Sequence, residues 1–158
     1  MTIGKVDEVV EIELVNYFIK GNIVLTKVDE DYPDNKLSGA VFEVYSDTNG
    51  DGKLDKADTL LGEMKELDGG VYQMSELRYG KYLVKETKAP TGFVLDENVY
   101  SVSVEENGKT YTVENKAGVG FINAAQKGSL KIVKTSSDGK VEGFSFRVTG
   151  VDYDQTFK

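Results

Sequence analysis

The sequence predicts an all-β fold of the sandwich type, and three observations predict it. Tyr, Val, Thr and Ile gather in short segments of alternating polarity, the two prolines and 17 glycines fall mostly between those segments, and the segments follow one another through tight turns. Strands are expected near residues 8–16, 22–29, 40–47, 71–77, 80–88, 99–105, 109–116, 119–125, 129–135 and 143–150. Their length and spacing fit a sandwich better than a barrel of long strands. The Asn-Gly pair in Glu105-Glu106-Asn107-Gly108-Lys109 reads as a hairpin turn. Helix is scarce, with Leu54–Leu61 as the one short candidate.

Composition narrows the chemistry. The 158 residues hold no cysteine and no histidine, which excludes disulfides, thiolate zinc sites, cysteine nucleophiles, Ser-His-Asp triads and imidazole ligation of haem. Nineteen basic residues against 27 acidic ones leave a net charge of −8 spread along the chain, so a nucleic-acid partner is not expected. No apolar run approaches the roughly 20 residues that span a bilayer, and no membrane insertion is expected of this soluble piece. Its start, Met1-Thr2-Ile3-Gly4-Lys5, lacks the apolar core of a secretory signal and reads as that of a cytosolic protein or of a fragment cut from a longer one.

An internal repeat organises the chain. Asn16, Gly21 and Lys27 recur as Asn123, Gly128 and Lys134 at an offset of 107, and Leu37-Ser-Gly39-Ala-Val-Phe42-Glu-Val44 is echoed by Val141-Glu-Gly143-Phe-Ser-Phe146-Arg-Val148 at an offset of 104. One complete module is expected over 21–127. Residues 1–20 read as the last strand of a preceding module and 128–158 as the first strands of a following one, which suggests a stalk or spacer whose partners are adjacent modules of the same chain.

Strand parity then singles out three polar residues. Ile23, Leu25 and Lys27 share one face of their strand; Tyr82, Val84 and Glu86 share one face of theirs; Phe121 coincides with Asn123. An amine, a carboxyl and a carboxamide thus fall where core side chains belong, and burial of an unpaired charge is costly. Each has an ordinary alternative: Lys27 snorkelling from a strand end, Glu86 at a solvated rim, Asn123 capping a turn.

The stretches Leu25-Thr26-Lys27-Val28-Asp29, Leu37-Ser-Gly39-Ala40-Val-Phe42-Glu-Val-Tyr45 and Gly80-Lys-Tyr82-Leu-Val-Lys-Glu86-Thr87-Lys-Ala89-Pro90-Thr-Gly92-Phe93 resemble the B-type (CnaB) repeat domain of Gram-positive collagen adhesins and SpaA-type pilins. That resemblance implies an immunoglobulin-like or prealbumin-like β-sandwich, and a spontaneous intramolecular isopeptide bond between Lys27 and Asn123 assisted by Glu86. Asn115 also follows a strand and is the other candidate acceptor; Asn123 is preferred because Asn16 repeats its offset from Gly and Lys. Burial favours neutral forms of amine and acid alike, so that the Lys27 amine can attack the Asn123 carbonyl while Glu86 hydrogen-bonds its oxygen and relays protons. Such a bond is a single self-modification, not turnover, so no enzyme is expected. Asn16 and Lys134 are read as isopeptide halves of the neighbouring modules, and a Lys134–Asn16 pair between two molecules would lack an assisting Glu.

A second constellation lies in Asp47-Thr-Asn49-Gly-Asp51-Gly52-Lys53-Leu54-Asp55-Lys-Ala-Asp58. Counted from Asp47, oxygen side chains occupy positions 1, 3, 5, 9 and 12, Gly52 takes position 6, the Lys53 carbonyl falls at 7 and Leu54 at 8, as in a calcium-binding loop. Asp58 replaces the usual Glu, a strand replaces the leading helix, and the whole resembles loops of dockerins and of staphylococcal surface B repeats. The plain alternative is an acidic, solvated turn. The expectation is therefore a calcium-stiffened stalk module of an extracellular, cell-wall-anchored adhesin or pilin. Its competitor is a sandwich that binds a glycan or host protein, with Tyr17-Phe18 and Tyr32-Pro33 as contacts.

Overall fold

A computed structural model describes residues 11–150 and 153–157. The chain divides into two compact units, one ending at Gln126 and one beginning at Lys127.

In the first unit, β1 (Lys20–Asp29) is the centre of one sheet. One edge of it pairs antiparallel with β5 (Val71–Arg78), which in turn pairs with β4 (Lys65–Asp68). Along its length β1 also pairs, in parallel, first with β8 (Thr110–Thr112) and then with β9 (Phe121–Asn123). The second sheet runs β3 (Thr59–Glu63), β2 (Val41–Ser46), β6 (Gly80–Lys88), β7 (Val99–Val104). Alternation, shifted by the bulge in β5 between Met74 and Leu77, places Ile23, Leu25, Tyr72, Leu77 and Phe121 from the first sheet against Phe42, Val44, Tyr82, Val84 and Val104 from the second, in one buried cluster. Phe42 meets Tyr72 and Phe121 edge-on at 5.1 and 5.0 Å between ring centres, contacts worth about 0.5–1.5 kcal/mol each beyond burial.

Close approaches of backbone require glycine at Gly21 and Gly120, as they do at Gly70. A Cβ on Gly21 would stand 2.8 Å from the Lys109 carbonyl oxygen, and one on Gly120, at φ 134°, would stand 2.8 Å from that of Thr26. Both hold late segments of the chain tight against β1.

Several expectations are corrected. Residues 11–19 form no strand, and 8–10 lie outside the described residues. Leu54–Leu61 forms no helix; its end enters β3, because the preceding carboxylates take up the backbone N–H groups of a turn. The strands β3 and β4 were not foreseen, since their exposed residues carry no alternation. Asn107-Gly108 turns the chain, with Gly108 at φ 75°, but joins no hairpin: β7 and β8 belong to different sheets. The turn is fastened to β1 instead, where Lys20 N–H donates to Asn107 Oδ1 at 3.1 Å and Gly108 N–H to the Lys20 carbonyl at 2.7 Å.

In the second unit, β10 (Phe146–Gly150) and β11 (Tyr153–Phe157) form a hairpin. The strand expected at 129–135 is absent, for among the described residues of this unit no ladder partner takes its backbone groups. No helix among the described residues is long and apolar enough to cross a membrane.

Candidate functional site

Three strands deliver three polar side chains to one point in the core. Lys27 ends the buried row of β1, Glu86 ends that of β6, and Asn123 closes β9; their relative exposures are 0, 0 and 3%. The parallel register of β1 and β9 sets Lys27 opposite Phe121. Lys27 Nζ donates to the Phe121 carbonyl at 3.2 Å, lies 3.5 Å from Glu86 Oε1 and sits 4.8 Å from the centre of the Phe121 ring. Asn123 Nδ2 donates to both Glu86 oxygens, at 3.0 and 3.1 Å. Asn123 Oδ1 is buried and accepts no hydrogen bond among the described residues. Glu86 therefore faces the amide nitrogen, not the carbonyl oxygen that sequence reasoning assigned to it.

Burial pulls the Lys27 ammonium down to about 8, against the opposing pull of the Glu86 and Asp96 carboxylates. A measurable share of the amine is thus neutral, and nucleophilic, near neutral pH. One carboxylate oxygen, Glu86 Oε1, lies within reach of both the amine and the amide nitrogen.

The Ala89-Pro90-Thr91-Gly92-Phe93 run explains how Glu86 is held. Phe93 N–H donates to the Pro90 carbonyl at 3.1 Å around Gly92, whose φ of 86° suits a residue without a side chain. The chain then bridges back to the end of β9, with Val94 N–H on the Ala124 carbonyl and Gln126 N–H on that of Gly92. That path returns the Asp96 N–H to Glu86 Oε2 at 2.8 Å.

The remaining sequence candidates lie elsewhere. Asn115 does not touch Lys27 in any described hydrogen bond; its carboxamide accepts from Ile122 N–H at 2.7 Å and donates to the Ile122 carbonyl and to Asp96 Oδ2. Asn16 is exposed in the segment before β1. Lys134 is exposed in the second unit, its Nζ 4.3 Å from the Phe144 ring centre.

The acidic loop connects β2 to β3. Asp47 is buried and accepts from the N–H groups of Gly50 and Gly52 at 2.7 and 3.0 Å. Asn49, Asp51 and Asp55 accept from Asp51, Lys53 and Ala57 N–H, and Asp58 accepts from Thr48 and Asp55 N–H. Lys53 itself is exposed. These oxygens suit a hard cation such as calcium, yet they cap the loop's own backbone, and no group of three or more acidic residues among those described is gathered to hold a metal ion.

Sequence reasoning missed Asp96 and Tyr100, which no motif marks. Asp96 Oδ2 also accepts from Tyr100 at 2.6 Å, and the Tyr100 ring meets Phe121 edge-on at 5.0 Å.

The model of the SpaA prealbumin-like fold domain family matches residues 21–117, which takes in β1 to β8 and more than half of the chain. The chain belongs to this family. Among solved structures, the SpaA-type module is similar to the Bacillus anthracis TIE protein (28% identity, TM-score 0.52, covering 68% of this chain and 18% of that one). It is similar also to BcpA, the major pilin subunit of Bacillus cereus (26%, TM-score 0.51, 68% and 31%), and to GBS52, the minor pilin of Streptococcus agalactiae (25%, TM-score 0.51, 74% and 49%). It spans under half the length of each. No curated protein sequence matches the chain.

Proposed function

We propose that the chain is a structural stalk module of a Gram-positive surface adhesin or pilin, clasped by an isopeptide bond between Lys27 and Asn123. The observation that carries this is the meeting of an amine, a carboxyl and a carboxamide in an apolar core, where each would be costly alone. The pilin relatives support an extracellular setting at the cell wall, with adjacent modules as partners. The repeat supports the tandem reading: Leu130, Ile132, Phe146 and Val148 correspond to Ile23, Leu25, Phe42 and Val44, all fully buried, but line a cleft of about 520 Å³ in the second unit. They have the character of a core awaiting further strands.

The chemistry balances within the triad. The neutral Lys27 Nζ attacks Asn123 Cγ; one proton passes from Nζ through Glu86 Oε1 to Nδ2; the Cγ–Nδ2 bond breaks and ammonia leaves. Charge developing on Oδ1 needs a donor, and a half-turn of the carboxamide would bring Oδ1 to the Glu86 carboxyl while that group carries the proton taken from Nζ. Fixed neighbours supply an effective molarity on the order of 10⁵ M or more. This is one event per molecule, so the module is not an enzyme.

Calcium is the second part of the proposal. It rests on the spacing of Asp47, Asn49, Asp51, Asp55 and Asp58, with the Lys53 carbonyl as a further donor; binding would gather side chains that now cap the loop.

The test is the intact mass of the denatured chain beside Lys27→Ala. The expected result is a wild-type deficit of one ammonia, absent in the variant and traced to a Lys27–Asn123 linked peptide. A wild-type chain of full mass would overturn the clasp.

A further inference from the structure

We infer that Asn115 and Asp96 are positioning residues that hold the attacked carboxamide and the assisting carboxyl in register for bond formation; this rests on the isopeptide reading of the same site.

β9 is laddered on one side only among the described strands. Along one side β9 pairs with β1, opposite Lys27, Val28 and Asp29. On its other side the Ile122 N–H and carbonyl need partners, and no strand among the described residues supplies them. The Asn115 carboxamide does, with Oδ1 on the N–H at 2.7 Å and Nδ2 on the carbonyl at 2.9 Å. One side chain thus imitates a strand across the residue that separates Phe121, whose carbonyl receives Lys27, from Asn123, which is attacked.

Asn115 is itself tied to the assisting carboxyl. Its Nδ2 donates to Asp96 Oδ2 at 2.8 Å, and the Asp96 backbone N–H donates to Glu86 Oε2 at 2.8 Å. The circuit closes through Asn123 Nδ2 on Glu86. Glu86, Asp96, Asn115, Ile122 and Asn123 therefore form a ring of hydrogen bonds, and neither the carboxyl nor the carboxamide can shift without straining the other's support. Tyr100 anchors the ring from outside, donating to Asp96 Oδ2 while its ring packs on Phe121. Hydrogen bonds from Tyr100, Asn115 and Asn98 outweigh the effect of burial and keep the Asp96 carboxyl below its usual range, hence an acceptor. A displacement of about 1 Å at such a centre costs on the order of 100-fold in rate.

Asp96, Tyr100 and Asn115 are only half-buried and border a shallow pocket also lined by Asn123, so substitutions at these positions can be hydrated without opening the core. The experiment follows cell-free synthesis of the full chain, quenched at intervals in acid, with the linked fraction read by intact mass. Asn115→Ala is expected to fold, shown by a cooperative melt, and to link at least tenfold more slowly than wild type. Tyr100→Phe, which keeps the ring and loses one hydrogen bond, is expected to link at an intermediate rate. Leu77→Ala, at a buried position of β5 away from the ring, controls for lost stability and is expected to link at the wild-type rate. Asn115→Ala linking at the wild-type rate would overturn the inference. So would equal slowing in Leu77→Ala, because the defect would then be general destabilisation. Should Asn115→Ala not fold, Tyr100→Phe decides: linking at the wild-type rate sinks the inference. A wild-type chain that never loses ammonia removes the isopeptide reading and this inference with it, an outcome distinct from slow linking in the variants alone.

Discussion

Leu25 and Ile132 occupy the same place in the repeat, and so do Lys27 and Lys134, yet their surroundings differ completely. Leu25 and Lys27 are fully buried, whereas Ile132 is 47% exposed and Lys134 lies at the surface of its unit. The residues before each lysine share the apolar alternation, so local sequence does not bury the lysine. Cover buries it. β1 has β5 on one edge, β8 and β9 on the other, and the second sheet over its apolar face; among the described residues of its own unit, the segment 129–135 has no such cover. Only under that cover does the amine lose its solvent and approach neutrality.

The largest effect expected from this contrast is on stability. A Lys27–Asn123 bond closes a loop of roughly 100 residues, which in the chain-entropy account is worth about 4–5 kcal/mol. Lys27→Ala should therefore lower the thermal midpoint of the first unit by on the order of 20 °C. Lys134→Ala, at an exposed position, should change stability by no more than about 0.5 kcal/mol. Calorimetry of both variants checks the pair, and comparable losses in the two would break the comparison.

A smaller effect isolates the cost of burying the amine. In Asn123→Ala, which cannot link, Lys27 keeps a folded-state value near 8 against 10.5 for the unfolded chain. Between those values the unfolded state binds the extra proton, so stability rises with pH. The rise should amount to about 2–3 kcal/mol between pH 8 and 10. Above that range the buried Tyr72 and Tyr82 and the half-buried Tyr100, whose values lie above the usual one, reverse the trend as the unfolded chain ionises first. Urea titrations across this range, with Lys27→Met added to the same background, test it; a slope that survives the methionine does not come from Lys27.

The same contrast measures how far the sequence could be read. The core faces of β1, β6 and β9 were legible because parity is local: every second residue of Ile23-Leu25-Lys27 and of Tyr82-Val84-Glu86 meets the same environment. The failed strands were not legible, because 129–135 has the alternation of β1 but lacks the partners that turn alternation into a ladder. Asn107-Gly108 gave the right turn and the wrong connection, since a turn signal says nothing of which sheet receives the next strand. Asn115 was visible as an acceptor-like residue after a strand, but its part depends on Ile122 and Asp96, brought together only by the crossing of the chain between sheets. Glu86 was expected on the carbonyl oxygen and stands on the nitrogen; the orientation of a carboxamide is set by its neighbours in space.

The smallest expected effect concerns the loop, which the second copy does not repeat: Asp47, Asn49 and Asp51 correspond to Val151, Tyr153 and Gln155 at the offset of 104. Calcium should therefore stabilise the first unit alone. Sites of this extracellular type bind with Kd of roughly 10⁻⁴–10⁻³ M, so 10 mM calcium should add about 1–3 kcal/mol. Asp58 is the sensitive position, for its carboxylate spans the loop from Thr48 to Asp55. Asp58→Asn keeps an acceptor oxygen and the shape of the turn but removes a charge, so it should abolish the calcium shift while altering the calcium-free midpoint little. Amide hydrogen exchange read residue by residue would place the added protection between Asp47 and Asp58. If calcium leaves both midpoint and exchange unchanged in the wild type, the backbone caps already described are the loop's whole stabilisation, and its four closely spaced carboxylates hold a turn and no ion.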